Sequence, residues 1–208
     1  MLQELLNRYP QLRECAEGLE AASAALIDCY RHGGKLLLCG NGGSCADCDH
    51  IVGELMKGFL KKRPLDRDQK AEMLRKSPLL DSRVLDQLQK GLPAVALPSI
   101  AALNSAFCND VDPELAYAQS VLALGREGDV LIAISTSGNA KNVSAAVKVA
   151  KGMGMTVIGL TGKTGGQLGE IADICIRVPE TQTYKVQELH LPVYHFLCAA
   201  VEAYFFQN

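Results

Sequence analysis

No apolar run in this 208-residue chain approaches the roughly 20 residues that a membrane-spanning helix needs. Nor does one sign of charge dominate. The 21 Lys and Arg stand against 23 Asp and Glu, a formal net charge of −2, which argues against a nucleic-acid binder working through a bulk positive field. The first residues, MLQELLNRYPQLRE, carry charges early and have no apolar h-region, so no secretory leader is expected and a cytoplasmic location is. There the eight cysteines are expected as free thiols. Cys39, Cys175 and Cys198 lie inside apolar runs and read as small buried hydrophobes. Tandem repeats and low-complexity tracts are lacking. The 48% of hydrophobic residues is ordinary for a globular core, on a length suited to one domain.

Five short apolar segments are bounded by Gly, Pro or small polar residues: 35–40, 93–98, 129–136, 156–162 and 173–179. Helical patterns lie between most of them, at 44–60, 113–125, 140–152 and near 165–171. Strands that read as apolar throughout, alternating with helices, predict an α/β fold with a parallel sheet covered on both faces. Residues 1–32 form N-terminal helices divided at Pro10, and 182–206 a long C-terminal helix. The segment 61–91 does not fit the alternation. It holds nine Lys or Arg and five Asp or Glu and reads as a helical insertion with a solvated face, starting a helix at Ser77-Pro78.

Open parallel sheets bind ligands beyond the carboxyl ends of their strands. CGNGGS follows the first strand, STSGN the third and TGKTGG the fourth. Glycines let backbone N–H groups approach an anion, hydroxyls add donors, and a following helix start adds favourable partial charge. CGNGGS and STSGN together read as a phosphate site and TGKTGG as a tight turn. A dinucleotide fingerprint is missing, because Gly40, Gly42 and Gly43 are followed by Ser44, Cys45 and Ala46, and a Walker-type loop fails because Lys163 sits in TGKTGG. Cys45-x-x-Cys48 has zinc-ligand spacing without an evident second pair, and lacks a thioredoxin-like context.

The segments CGNGGSCADCDHIVGEL (39–55), NDVDPELAYAQSVLALGREGDVLIAISTSGNAKNV (109–143), GMTVIGLTGKTGG (154–166) and ADICIRVP…VQELHLPVYH (172–195) closely resemble the phosphoheptose isomerases, which are sugar-isomerase (SIS) domain proteins. The resemblance covers nearly the whole chain except 61–91. It implies a flavodoxin-like αβα sandwich and a homotetramer with active sites between subunits. It also implies isomerisation of sedoheptulose 7-phosphate to D-glycero-D-manno-heptose 7-phosphate. Position by position, it puts substrate contacts on Asn41, Gly42, Gly43, Ser44, Glu54, Asn109, Asp110, Ser135, Thr136, Ser137 and Gln187. Zinc ligands fall on His50, Glu54, Gln187 and His195, of which Glu54 and His195 are the acid–base pair. Three departures stand out: Ala140 replaces a phosphate-site serine, Tyr184 replaces an acidic residue, and the insertion is added.

The chemistry suits these residue types. Moving a proton between adjacent carbons through an enediol needs a base at the carbon, an acid–base group for the oxygens and a stabiliser of negative charge. On a helix His50 and Glu54 would lie about 40° apart and one turn removed. Gln187 and His195 are separated by about 12 Å of rise and roughly 80°. Joining one ion therefore requires a bend, which Pro192 could supply, and His190 competes locally. A non-catalytic SIS scaffold or regulator, of the type associated with replication initiation, is the alternative; that class tends to lose the His/Glu/Gln/His set.

Overall fold

The computed structural model describes residues 1–207. Five strands pair in parallel in the order β2-β1-β3-β4-β5. They are β1 (Leu36–Gly40), β2 (Ala94–Ala96), β3 (Val130–Ile134), β4 (Thr156–Thr161) and β5 (Ile174–Arg177). The central pair runs in register from Leu36 opposite Val130 to Gly40 opposite Ile134. This is the flavodoxin-like αβα order expected from the resemblance. Each strand is trimmed relative to its apolar run, because the flanking residues turn away into the loops.

Both faces of the sheet are covered, which explains why β1 is apolar at every position. Leu36 and Leu38 pack with the helices α2 (Ala16–Arg31), α3 (Gly43–Met56) and α10 (Thr183–Phe205). Leu37 and Cys39 face the other way, onto α7 (Ala116–Leu124) and α8 (Lys141–Gly152). Helix α1 (Leu2–Arg8) precedes a 3-10 segment at Pro10–Cys15, so the division at Pro10 stands. A short α9 (Leu168–Ile171) precedes β5. In the GREGDVL motif, the Asp129 carboxylate accepts the backbone N–H of Lys35 and of Arg126, each at 2.9 Å, tying the starts of β1 and β3. Cys39 and Cys198 are buried, but Cys175 is half-buried because β5 is an edge strand.

The insertion differs from its expected form. Its helices are α4 (Arg67–Lys76) and α5 (Ser82–Gln87), so Ser77 ends a helix rather than starting one. The local reason is capping. Asp66 and Gln69 form a capping box on α4, and the Asp81 side chain accepts the Arg83 N–H at 2.8 Å to open α5. None of α4 is buried, consistent with a solvated face. The root is another matter. Arg63 is 1% exposed and donates from Nε to Glu202 Oε1 at 2.8 Å, while its other nitrogens reach the carbonyls of Leu55 and Glu54. An isolated antiparallel bridge, Pro64 with Gln89, closes the excursion. One helix was not expected at all: α6 (Ala101–Asp110), none of whose residues is fully buried, with Leu103 and Phe107 only half-buried.

Candidate active site at the sheet switch point

Chain order reverses direction between β1 and β3, and ligands of open α/β sheets collect at such a point. A cavity of about 340 Å³ opens there. The first loop supplies Asn41, Gly42, Gly43 and Ser44; the second supplies Ser135, Thr136, Ser137 and Ala140; α10 adds Thr183 and Gln187. No Lys or Arg lines it. Instead, three helices begin at its wall: Gly43 opens α3, Ala140 caps α8 and Thr183 opens α10. A helix start carries roughly half a positive charge. This arrangement suits an anion without a cationic side chain.

Local backbone demands account for the glycines. Gly42 takes φ +57 with open space around a would-be Cβ, so conformation alone requires glycine. A Cβ at Gly43 would run into the Gln187 amide. Gly138 takes φ +71 and lies against the Gly165 carbonyl. Gly162 N–H donates to Thr136 O at 3.0 Å, and just past the motif Leu168 N–H donates to Gly138 O at 2.9 Å and Gln167 N–H to Asn139 Oδ1 at 3.0 Å. TGKTGG thus braces the STSGN loop from behind and does not line the cavity, consistent with its reading as a turn. Two positioning residues escaped the sequence reading. Asn142, in the first turn of α8, exchanges a reciprocal amide pair with Asn41, both bonds 2.9 Å. The Tyr117 hydroxyl sits 2.9 Å from Gly40 O. Thr183 was also missed, although it stands four residues before Gln187 on one helix face.

A second group lies along the α3/α10 seam. His50 Nε2 is 3.2 Å from Glu54 Oε1 and 3.4 Å from His195 Nε2. Donor atoms of all three lie within 4.8 Å of one another. Among the described residues no other set of three His, Cys, Asp or Glu donors converges in this way, so Cys45 and Cys48 gain no metal role. Helix α10 runs unbroken through Pro192 and delivers His195 to α3. His190 faces the interior: it is wholly buried, both ring nitrogens lack partners, and burial pushes its pKa down to about 4. The His195 pKa is lowered, first by burial and then by His50, with Glu54 opposing. Helix rise puts this group about 9 Å beyond Ser44 along α3 and about 12 Å beyond Gln187 along α10. Asn109 and Asp110 do not line the cavity. They sit exposed at the end of α6, with Asn109 Nδ2 donating to Asp110 Oδ1 at 2.8 Å.

The SIS domain family matches residues 102–201, and a second SIS domain family matches residues 2–90. A phosphoheptose isomerase of Rhodospirillum rubrum is 39% identical over 194 residues, covering 93% of this chain and 89% of the relative. One from Burkholderia pseudomallei is 41% identical over 178 residues, covering 86% and 77%. Among solved structures, the phosphoheptose isomerase of Neisseria gonorrhoeae superposes with a TM-score of 0.76 at 31% identity, covering 97% of this chain and 94% of that one. That of Francisella tularensis gives 0.75 at 30% identity, covering 96% and 95%. With sequence relatives and whole-chain structural neighbours in agreement, the chain belongs to the phosphoheptose isomerase family of SIS-domain proteins.

Proposed function

We propose that this phosphosugar isomerase converts sedoheptulose 7-phosphate to D-glycero-D-manno-heptose 7-phosphate through an enediol. The observation that carries the reading is the pairing of two sites on one seam. A cavity walled by three helix starts, with Gln187 in its lining, lies about two turns of α10 from a carboxylate and two imidazoles. One end suits a phosphate, the other the carbonyl end of the same sugar.

The Ser135–Ser137 loop and the helix starts hold the phosphate. Asn41, kept in place by Asn142, and Gln187 orient sugar hydroxyls from the cavity wall. Gln187 lines this cavity with its amide against Gly43, and the resemblance places it among the zinc ligands as well. Glu54 takes the carbon-bound proton and returns it to the neighbouring carbon. His195 moves the second proton between the two oxygens. A carboxylate and two imidazoles with convergent donor atoms fit zinc, and His50, Glu54 and His195 would hold it. Bound there, zinc supplies Lewis-acid polarisation of the substrate oxygens.

Asn109 and Asp110 enter the proposal through assembly. We place them at a neighbouring subunit's site in a homotetramer, which is supported by the unburied α6 that carries them. A reducing cytoplasm suits the eight free thiols. The scaffold alternative is disfavoured, since His50, Glu54 and His195 are present and convergent.

NMR of the sugar phosphate with zinc-loaded protein, with and without chelator, tests the reading. Turnover of sedoheptulose 7-phosphate, its loss with chelator, and a Glu54→Gln variant that binds but falls by at least ~100-fold in kcat are expected. No turnover of any C5 to C7 ketose phosphate would overturn it. Unchanged turnover in Glu54→Gln would remove Glu54 from the base role.

A further inference from the structure

The Tyr194 hydroxyl lies between His50 and a residue given no role above, Asp47. It is 3.2 Å from Asp47 Oδ1 and 3.0 Å from His50 Nδ1. Tyr194 is 2% exposed, so water does not compete for the hydroxyl. The other Asp47 oxygen, Oδ2, is buried with no partner, which leaves the Tyr194 bond as the hydrogen bond of that carboxylate. On the far side of the imidazole, His50 Nε2 faces Glu54 and His195.

The tyrosine has one proton to give. A carboxylate only accepts, so a Tyr194 proton turned toward His50 would strand both oxygens of Asp47 in a partly buried site, at the cost of an unmet acceptor. With the Tyr194 proton directed at Asp47, the Tyr194 oxygen accepts from His50 Nδ1–H, and His50 Nε2 is left as an acceptor that takes its hydrogen bond from His195 Nε2–H at 3.4 Å and not from the Glu54 carboxylate. We propose that Asp47 and Tyr194 are positioning residues that hold His50 as its Nδ1–H tautomer, with the Nε2 lone pair aimed into the group formed with Glu54 and His195. This is the arrangement in which an outer carboxylate orients a ligating histidine, here through a phenol. Asp47 and Tyr194 touch neither the cavity nor the three donors' shared centre; they act through His50.

The spacing explains how two helices build the row. Asp47 and His50 are three residues apart on α3, so they share a face. Tyr194 immediately precedes His195 on α10, and its ring meets that of His50 edge-on, with centroids 5.4 Å apart and an interplanar angle of 70°. One dipeptide of α10 therefore both adds a donor and fixes the partner donor.

The consequence for zinc rests on the metal reading given above, whereas the tautomer belongs to the metal-free protein, so the two are measured separately. In metal-free protein with 15N-labelled histidine, assigned through single His→Gln variants, long-range 1H–15N spectra should show the His50 proton on Nδ1. In Tyr194→Phe it should redistribute toward Nε2, where Glu54 accepts it. Zinc affinity, read by competition with a chromophoric chelator, should fall ten- to hundredfold in Tyr194→Phe, in protein that loses some thermal stability because Asp47 is left without a donor. Asp47→Ala, which frees the Tyr194 proton for His50 Nδ1, should move both readouts in the same direction and serves if Tyr194→Phe does not fold. A wild-type His50 protonated at Nε2, or zinc affinity unchanged in both variants, overturns the proposal. A wild type that shows the Nδ1–H tautomer but binds no zinc supports the pair and sinks the metal reading instead.

Discussion

At the scale of single residues, the chain separates its four histidines by environment. His50 and His195 meet Glu54 at the seam. His32 sits exposed beside Asp28. His190, only five residues before His195, is buried and held neutral, its pKa near 4. Its folded value lies below that of an unfolded histidine, near 6.5. The unfolded chain thus binds the extra proton first, and stability is lost as pH falls below about 6.5. His190→Leu cannot titrate. Urea unfolding at pH 7 and pH 5 should show the wild type losing about 2 kcal/mol more than the variant over that interval; equal losses would show that His190 is not neutral in the fold. His50 and Glu54 were legible in the sequence because four residues make one helical turn. Asp47 and Tyr194 were not, since their partnership exists only where α3 and α10 cross.

At the scale of elements, the turn after α3 is held by charge. The Glu202 carboxylate accepts the N–H groups of Phe59 at 2.8 Å, Leu60 at 2.8 Å and Lys61 at 3.1 Å, besides Arg63. Burial alone would raise its pKa; these donors and the guanidinium outweigh that and lower it. Arg63 in turn satisfies the Glu54 and Leu55 carbonyls at the end of α3, so one buried pair fastens the helix that carries Glu54. Removing one partner of a buried pair strands the other. Arg63→Met should cost about 3–5 kcal/mol, seen as an earlier urea midpoint with an unchanged slope. A loss below about 1 kcal/mol would mean that Glu202 is satisfied by backbone alone. The charge run that opens the 61–91 segment hides this anchor. Arg63 resembles its solvated neighbours in sequence, and only the fold distinguishes it.

At the scale of the molecule, the single chain leaves apolar side chains exposed beside α6 and α7, with Val111 65% exposed, Leu115 41% and Leu122 59%, and others elsewhere, Leu60 and Leu79 among them. Such surface calls for cover by another protein surface. Light scattering should give four times the 22.3 kDa of one chain; a fully active monomer would remove Asn109 and Asp110 from the site. The alternation of apolar runs and helical patterns determined the parallel sheet unaided, since a strand buried on both faces must be apolar throughout. The glycine- and hydroxyl-rich loops were likewise readable, because backbone conformation and anion affinity are local properties of their residues. Tertiary structure alone decided which loops share one cavity, that TGKTGG braces rather than binds, that His195 and not His190 meets α3, and that Gln187 faces Gly43. Those outcomes depend on how two helices are rotated and seated against each other, and packing of the whole core sets that.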